Sequence, residues 1–213
     1  ACQLLGMEVA NAGMYDGATS LAEAALMACR ITERYRIAYV DTLSPAFRDV
    51  LATYTEPQGI QMYSVHSTTT AISKDTACLI VQHPNFFGYL ENLSALEHAA
   101  HSVEALLVTS TDPIAMGLFR PPGEYGADIA TAEGQPLGIP IGYGGPYVGL
   151  FTCKRKFIRQ MPGRIVGQTV DSDGRTGYVL TLQTREQHIR RERATSNVCT
   201  SQALIGLMVT VYL

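Results

Sequence analysis

Lysine is scarce in this 213-residue chain, which has only Lys74, Lys154 and Lys156. Neither sign of charge is in large excess: the formal net charge is −3 and the pI near 5.9, a balance that invites neither nucleic acid nor an anionic membrane. No apolar run approaches the roughly 20 residues that span a bilayer. Residues 1–9 lack the basic start and long apolar centre of a signal peptide. The five cysteines, Cys2, Cys29, Cys78, Cys153 and Cys199, are odd in number, scattered, and never spaced as CxxC. That argues against zinc or redox chemistry and predicts small buried apolar residues in a reducing compartment. No Gly-x-Gly-x-x-Gly follows a strand, no Gly-Lys-Ser/Thr phosphate loop occurs, and no internal repeat or low-complexity linker appears.

What is present suits one globular core. At 46% hydrophobic, 213 residues bury a single sizeable core with at most a small annex. The opening ACQLLGMEVA is already apolar and the chain stops at LIGLMVTVYL inside a helical pattern, so a fragment is expected, with a final helix over 198–213. Short apolar runs at 37–42, 59–65, 77–82, 105–109, 127–132 and 148–153 predict strands. Helices are expected over about 16–32, 45–54, 88–101, 113–119 and 154–161. Leu21, Ala25, Ala28 and Ile31 share one face of the first of these, with Asp16, or Ser20 with Glu23, as its cap. Alternating strands and helices imply a mostly parallel sheet covered on both faces, with ligands beyond the carboxyl ends of its strands. The core extends to about 161. Residues 162–197 add a hairpin around Asp171–Gly174 and an Arg-rich segment whose interleaved acids predict a self-paired surface or subunit contact.

Three places have residue types that suit a ligand. The small and hydroxylated residues before the first long helix resemble a phosphate cradle, although an ordinary cap explains them better. His83 and Asp112 follow strand ends, and each has a plainer reading, as a turn residue beside proline and as a helix start. The third place is the loop at 133–147, with glycine at 134, 138, 142, 144 and 145 and proline at 136, 140 and 146. Such density fixes the backbone at some points and admits another backbone or a ligand at others. A strand, a long shaped loop and a returning strand resemble the place where fold type I pyridoxal-phosphate enzymes hold their cofactor lysine. Here the loop has no lysine.

The runs at 11–28, 121–151 and 159–204 together resemble the glycine decarboxylase P-protein of the glycine cleavage system, in particular subunit 1 of its two-chain form. The resemblance covers nearly the whole chain. It implies an α/β fold, the large domain of the fold type I pyridoxal-phosphate-dependent transferases, in a cytoplasmic bacterial or archaeal enzyme. It also implies a related partner, P-protein subunit 2, holding pyridoxal phosphate on its lysine, with glycine as substrate and lipoylated H-protein receiving the aminomethyl group. Against the partner's pattern of Ala-Asp-Ile followed by the cofactor lysine, Pro136 falls at or beside the lysine position. No catalytic residue is then expected in this chain. Gly144, Gly145, Pro146 and Tyr147 are expected to line the partner's active-site mouth or the adjoining interface, with Gly145 needing to stay a glycine. The rival readings are a purely structural paralogue and an independent lyase with an unusual cofactor anchor. Incubation of the protein with pyridoxal phosphate and then borohydride is expected to leave no stoichiometric adduct on any one lysine. A stoichiometric adduct on Lys154, found by peptide mapping, establishes the independent lyase instead.

Overall fold

The computed structural model describes residues 1–199 and 202–213. Along the chain come α1 (Cys2–Leu5), β1 (Val9–Ala10), α2 (Gly17–Thr32), β2 (Arg36–Val40), α3 (Pro45–Thr55), β3 (Gln61–Val65), β4 (Cys78–His83) and α4 (Leu93–His101). There follow β5 (Leu106–Thr111), β6 (Ile129–Glu133), β7 (Gly149–Cys153), β8 (Ile165–Val170), β9 (Thr176–Thr181), α5 (Gln187–Arg190) and α6 (Ala203–Tyr212). A seven-stranded sheet has the order β1-β7-β6-β5-β4-β2-β3, and β8 pairs with β9 as a separate hairpin. Strands β2 to β6 are parallel, while β7 runs antiparallel to β6 and β1 antiparallel to β7.

The sheet is covered on both faces, which is why its central strands are buried almost throughout rather than at alternate residues. Ile37, Cys78, Ile80, Leu106, Val108, Ile129 and Phe151 pack on one side with Leu21, Ala25 and Ala28 of α2. Ala38, Val40, Leu79, Val81 and Leu107 pack on the other with Leu93, Leu96 and Ala100 of α4. Helix α2 is buried almost all round, from Ser20 to Cys29, and not along one face alone. Asp16 caps it: its carboxylate accepts from the Thr19 amide at 2.8 Å, while the Thr19 hydroxyl accepts from the Asp16 amide at 3.2 Å.

Several expected elements come out shorter, each for a local reason. The helix expected from 88 begins at Leu93, because the Asn85 carboxamide oxygen accepts from the amides of Phe87 and Tyr89, both at 3.0 Å, and holds a turn there. Asn92 then caps the helix through the Ala95 amide. The helices expected over 113–119 and 154–161 are 3₁₀ turns, Ala115–Gly117 and Arg155–Gln160. In the first, Asp112 draws the Ile114 amide onto its own carboxylate at 2.9 Å. Strand β1, at two residues, is too short to show any period. The final helix begins at Ala203, and Thr200 and Ser201 of the expected 198–213 span lie outside the described residues.

Cys29, Cys78 and Cys153 are buried as expected, and burial pushes the Cys29 thiol up to about 11 and Cys153 to about 12. Cys199 is exposed, contrary to expectation. Arg185 pairs with Glu186 at 3.6 Å, as the interleaved acids predict, but is buried and not on the surface. Its guanidinium turns inward to donate to the carbonyls of Met161 and Gly163, tying the hairpin's base to the segment that follows it.

At the amino end of β6 a buried carboxylate gathers charge. Asp128 accepts from Lys154 Nζ at 2.8 Å, from His101 Nε2 at 2.7 Å and from the Leu107 amide at 3.0 Å. Glu97 holds the other ring nitrogen of His101. Burial raises the Asp128 carboxyl, but these hydrogen bonds outweigh it and hold the group below its ordinary value. A depressed pKa contributes stability above the unfolded value of about 3.9, and that stability is lost as pH falls through the lower folded value. Asp128→Asn is therefore expected to cost on the order of 3 kcal/mol at neutral pH, near the low end for a broken buried pair because Lys154 stays partly solvated. Urea unfolding at pH 7 and pH 3 tests this, the gap from wild type narrowing at the lower pH.

Candidate functional site

Where the parallel strands end, a cleft of about 350 Å³ opens beyond β4, β5 and β6. Phe47, Gln82, Ser110, Asp112, Glu133 and Pro136 are among its walls. This is the place that sheet topology assigns to a ligand. Two of its polar groups are already engaged: the Gln82 carboxamide oxygen accepts from the Ser44 amide at the start of α3 at 2.8 Å, and Asp112 holds the Ile114 amide. Asp112 is thus both a turn residue and a wall of the cleft. His83 is not a turn residue: it is buried as the last residue of β4, paired with Thr111 of β5. Its Nδ1 accepts from the Glu91 amide at 3.1 Å, and burial, partly offset by Glu91, holds its pKa below the ordinary value.

Glu133, the last residue of β6, forms the most connected corner of the cleft, and no sequence pattern singled it out. One carboxylate oxygen accepts from the Gly17 amide, the first of α2, at 2.8 Å. The other accepts from the Gln135 amide at 2.9 Å and the Val148 amide at 3.3 Å. Burial raises the Glu133 pKa and these three backbone hydrogen bonds oppose it. The backbones around it approach closely. A Cβ on Gly17 would lie 2.9 Å from the Glu133 nitrogen, one on Gly134 2.8 Å from the Val148 carbonyl oxygen, and one on Gly149 2.0 Å from Ser20 Oγ. The small residues before α2, one reading of which was a phosphate cradle, instead receive the chain's own carboxylates, Asp16 and Glu133.

The loop between β6 and β7 divides into an anchored half and an exposed one. Leu137 and Ile139 are buried with Val148 and Val209, and α6 lies so close that a Cβ on Gly138 would meet the Tyr212 ring at 2.6 Å. Beyond Pro140 the loop stands out, with Ile141 80% exposed and Tyr143 fully so. Gly142 and Gly145 close the tip as a bridge in which the Gly145 amide donates to the Gly142 carbonyl at 3.2 Å. Positive φ falls at Tyr143 (52°) and Gly144 (85°), not at Gly145, where a Cβ would only touch the Tyr147 ring at 3.4 Å. The expectation that Gly145 needs glycine's conformational freedom is therefore corrected, and that freedom is used at Gly144. Among the described residues, the amides of Gly144 and Tyr147 have no acceptor within the chain. Gly144, Gly145, Pro146 and Tyr147 sit together at this tip, away from the cleft.

The cleft does not fit pyridoxal phosphate held by this chain. Its loop has no lysine, and the α2 amino terminus, where a phosphate could sit, is taken by carboxylates. The three lysines are at the opposite end of the sheet. Lys74 precedes β4, Lys154 and Lys156 follow the antiparallel β7, and Lys154 Nζ is bound to Asp128 and to the Gly126 carbonyl at 2.9 Å.

The comparisons with known proteins agree with this geometry. The family model described as "Glycine cleavage system P-protein" matches residues 1–213. A "Probable glycine dehydrogenase (decarboxylating) subunit 1" from Desulforamulus reducens is 53% identical over 221 residues, covering 100% of this chain and 50% of that protein. The chain therefore spans about half the length of that relative. Among solved structures, an inhibitor-bound glycine decarboxylase (P-protein) of the glycine cleavage system superposes with a TM-score of 0.95 at 45% identity, over 100% of this chain and 50% of the other. A cystathionine gamma-lyase from Lactobacillus plantarum complexed with L-serine has a TM-score of 0.59 at 14% identity, over 74% of this chain and 41% of the other. That likeness shows the fold alone, the fold type I arrangement of pyridoxal-phosphate-dependent lyases. With a family model that matches from end to end and a relative more than half identical, this chain belongs to the glycine cleavage system P-protein family.

Proposed function

We propose that the protein containing this chain is the subunit of glycine decarboxylase that does not hold the cofactor. It works beside a related second subunit that carries pyridoxal phosphate on a lysine. In this reading the complex decarboxylates glycine and passes the aminomethyl group to the lipoyl arm of H-protein in the cytoplasm. The partner's cofactor supplies the electron sink that decarboxylation needs. The observation that carries the reading is the loop after β6, with proline at position 136, a base locked onto this chain's own α2 and a tip turned outward.

The contribution of this chain is to bind and to exclude water. The amides of Gly144 and Tyr147 suit a phosphate or carboxylate presented by a neighbour, because backbone donors held in a fixed turn need no reorganisation when an anion arrives. Ile141, Tyr143 and Tyr147 surround them with apolar surface, which a second subunit would cover. A purely structural paralogue would keep the same fold and leave those amides idle.

Gly145→Val separates the two readings. Its Cβ meets only the Tyr147 ring and its φ is not left-handed, so the variant is expected to fold with a near-normal melting temperature and to assemble with its partner. Added bulk at the tip is expected to lower cofactor affinity or the exchange of carbon dioxide into glycine by roughly tenfold or more, as a misplacement of about 1 Å near a reacting centre does. Normal exchange by an assembled variant leaves the loop as scaffolding and favours the structural paralogue.

A further inference from the structure

We infer that Glu133 is the positioning residue of the partner-facing tip. It clamps both stems of the loop to the first turn of α2 with a single carboxylate. The inference rests on the reading of the tip given above and identifies the group that holds the tip in place.

The loop leaves β6 through Gly134 and Gln135 and returns to β7 through Val148, so any rotation of the tip about its base must move these residues. One oxygen of Glu133 binds the amides of Gln135 and Val148, the two stems, while its other oxygen binds Gly17. A second rung lies beside the first, the Gly134 amide donating to the Val148 carbonyl at 2.7 Å. Farther out, the Gln135 side chain donates to the Ile139 carbonyl at 2.6 Å, stiffening the anchored half. The carboxylate is also well placed electrostatically, because the first turn of a helix presents unsatisfied amides and the positive end of its dipole. Glu133 is thus an anion tethered to the chain and seated where a free anion would bind in an open pocket. Its neighbours leave it little alternative: Gly17 and Gly149 both pack too closely against the opposing backbone to accept a Cβ. Glu133 bonds to the two stems and to α2 and not to residues 141–147, so its hold on the tip passes through the stems.

Glu133→Gln in the full-length protein, assembled with its partner subunit, tests this. Glutamine keeps one acceptor but turns an NH₂ toward amides that have only hydrogens to offer, so it can serve Gly17 or the two stems, not both. Hydrogen exchange at the bonded amides of Gln135, Gly142, Gly145 and Val148 is expected to rise about tenfold or more, the effect of losing a charge-assisted hydrogen bond. The KM for glycine or the cofactor dissociation constant is expected to rise at least about fivefold, with kcat and the affinity for the partner changing less, the split that a loosened positioning element gives. Exchange that rises while all turnover parameters stay normal supports the clamp and overturns the reading of the tip instead. Exchange unchanged across the loop overturns the clamp, and Gly145→Val alone then decides what the tip does. Should Glu133→Gln fail to fold, Glu133→Asp, which keeps the charge but is one methylene shorter and cannot span the same three amides, is judged by the same exchange and KM measurements.

Discussion

The rest of the molecule depends on how closely α2 approaches the ends of β6 and β7. Gly17, Gly134 and Gly149 each leave less than a methyl group of space to the facing backbone, and the Ser20 hydroxyl packs where a side chain at 149 would go. A helix so nearly enclosed, with its residues from Ser20 to Cys29 buried, needs such an approach to fit over four neighbouring strands. Once the joint is made, the loop between β6 and β7 has nowhere to fold back, because its base is held at the strand ends and its first half lies under α6. What remains free is the tip.

The two ends of β6 are fixed by opposite means. At the amino end Asp128 meets side chains, Lys154 and His101, each about a third exposed. At the carboxyl end Glu133 meets backbone amides, which cannot titrate or move away. The first arrangement ties α4, β5 and the segment after β7 into one unit and accounts for the lysine most open to suspicion as a cofactor anchor. The second fills a helix terminus that would otherwise attract an anion. Both carboxylates lie within a stretch of six residues, and together they engage Lys154 and the amino terminus of α2.

Much of the fold was legible because β4, β5 and β6 begin as short apolar runs between turn residues, and a doubly covered parallel sheet imposes that pattern. The loop was legible too, since its glycines and prolines are dense enough to stand out in any composition. Helix boundaries were less so where a side chain competes with the helix for backbone amides: Asn85 and Asp112 each capture an amide that a propensity reading gives to a helix. Glu133 was not legible at all. A lone glutamate at a strand end has no period, and its partner Gly17 is 116 residues away in sequence. The misassignment of conformational freedom to Gly145 has the same root, since sequence shows which residues are glycines but not which of them turns left-handed.

Pro136 and Glu133 together bear on whether such a chain could regain a cofactor of its own. A lysine at 136 would add a possible anchor while the α2 amino terminus stayed blocked by the carboxylate on Gly17. Removing that carboxylate would open that terminus with nothing to anchor the ligand, and would free the loop that the partner is proposed to use. Each step alone yields no gain, and the second carries a loss. On the proposed reading, both substitutions would be needed together before this chain could hold a cofactor of its own.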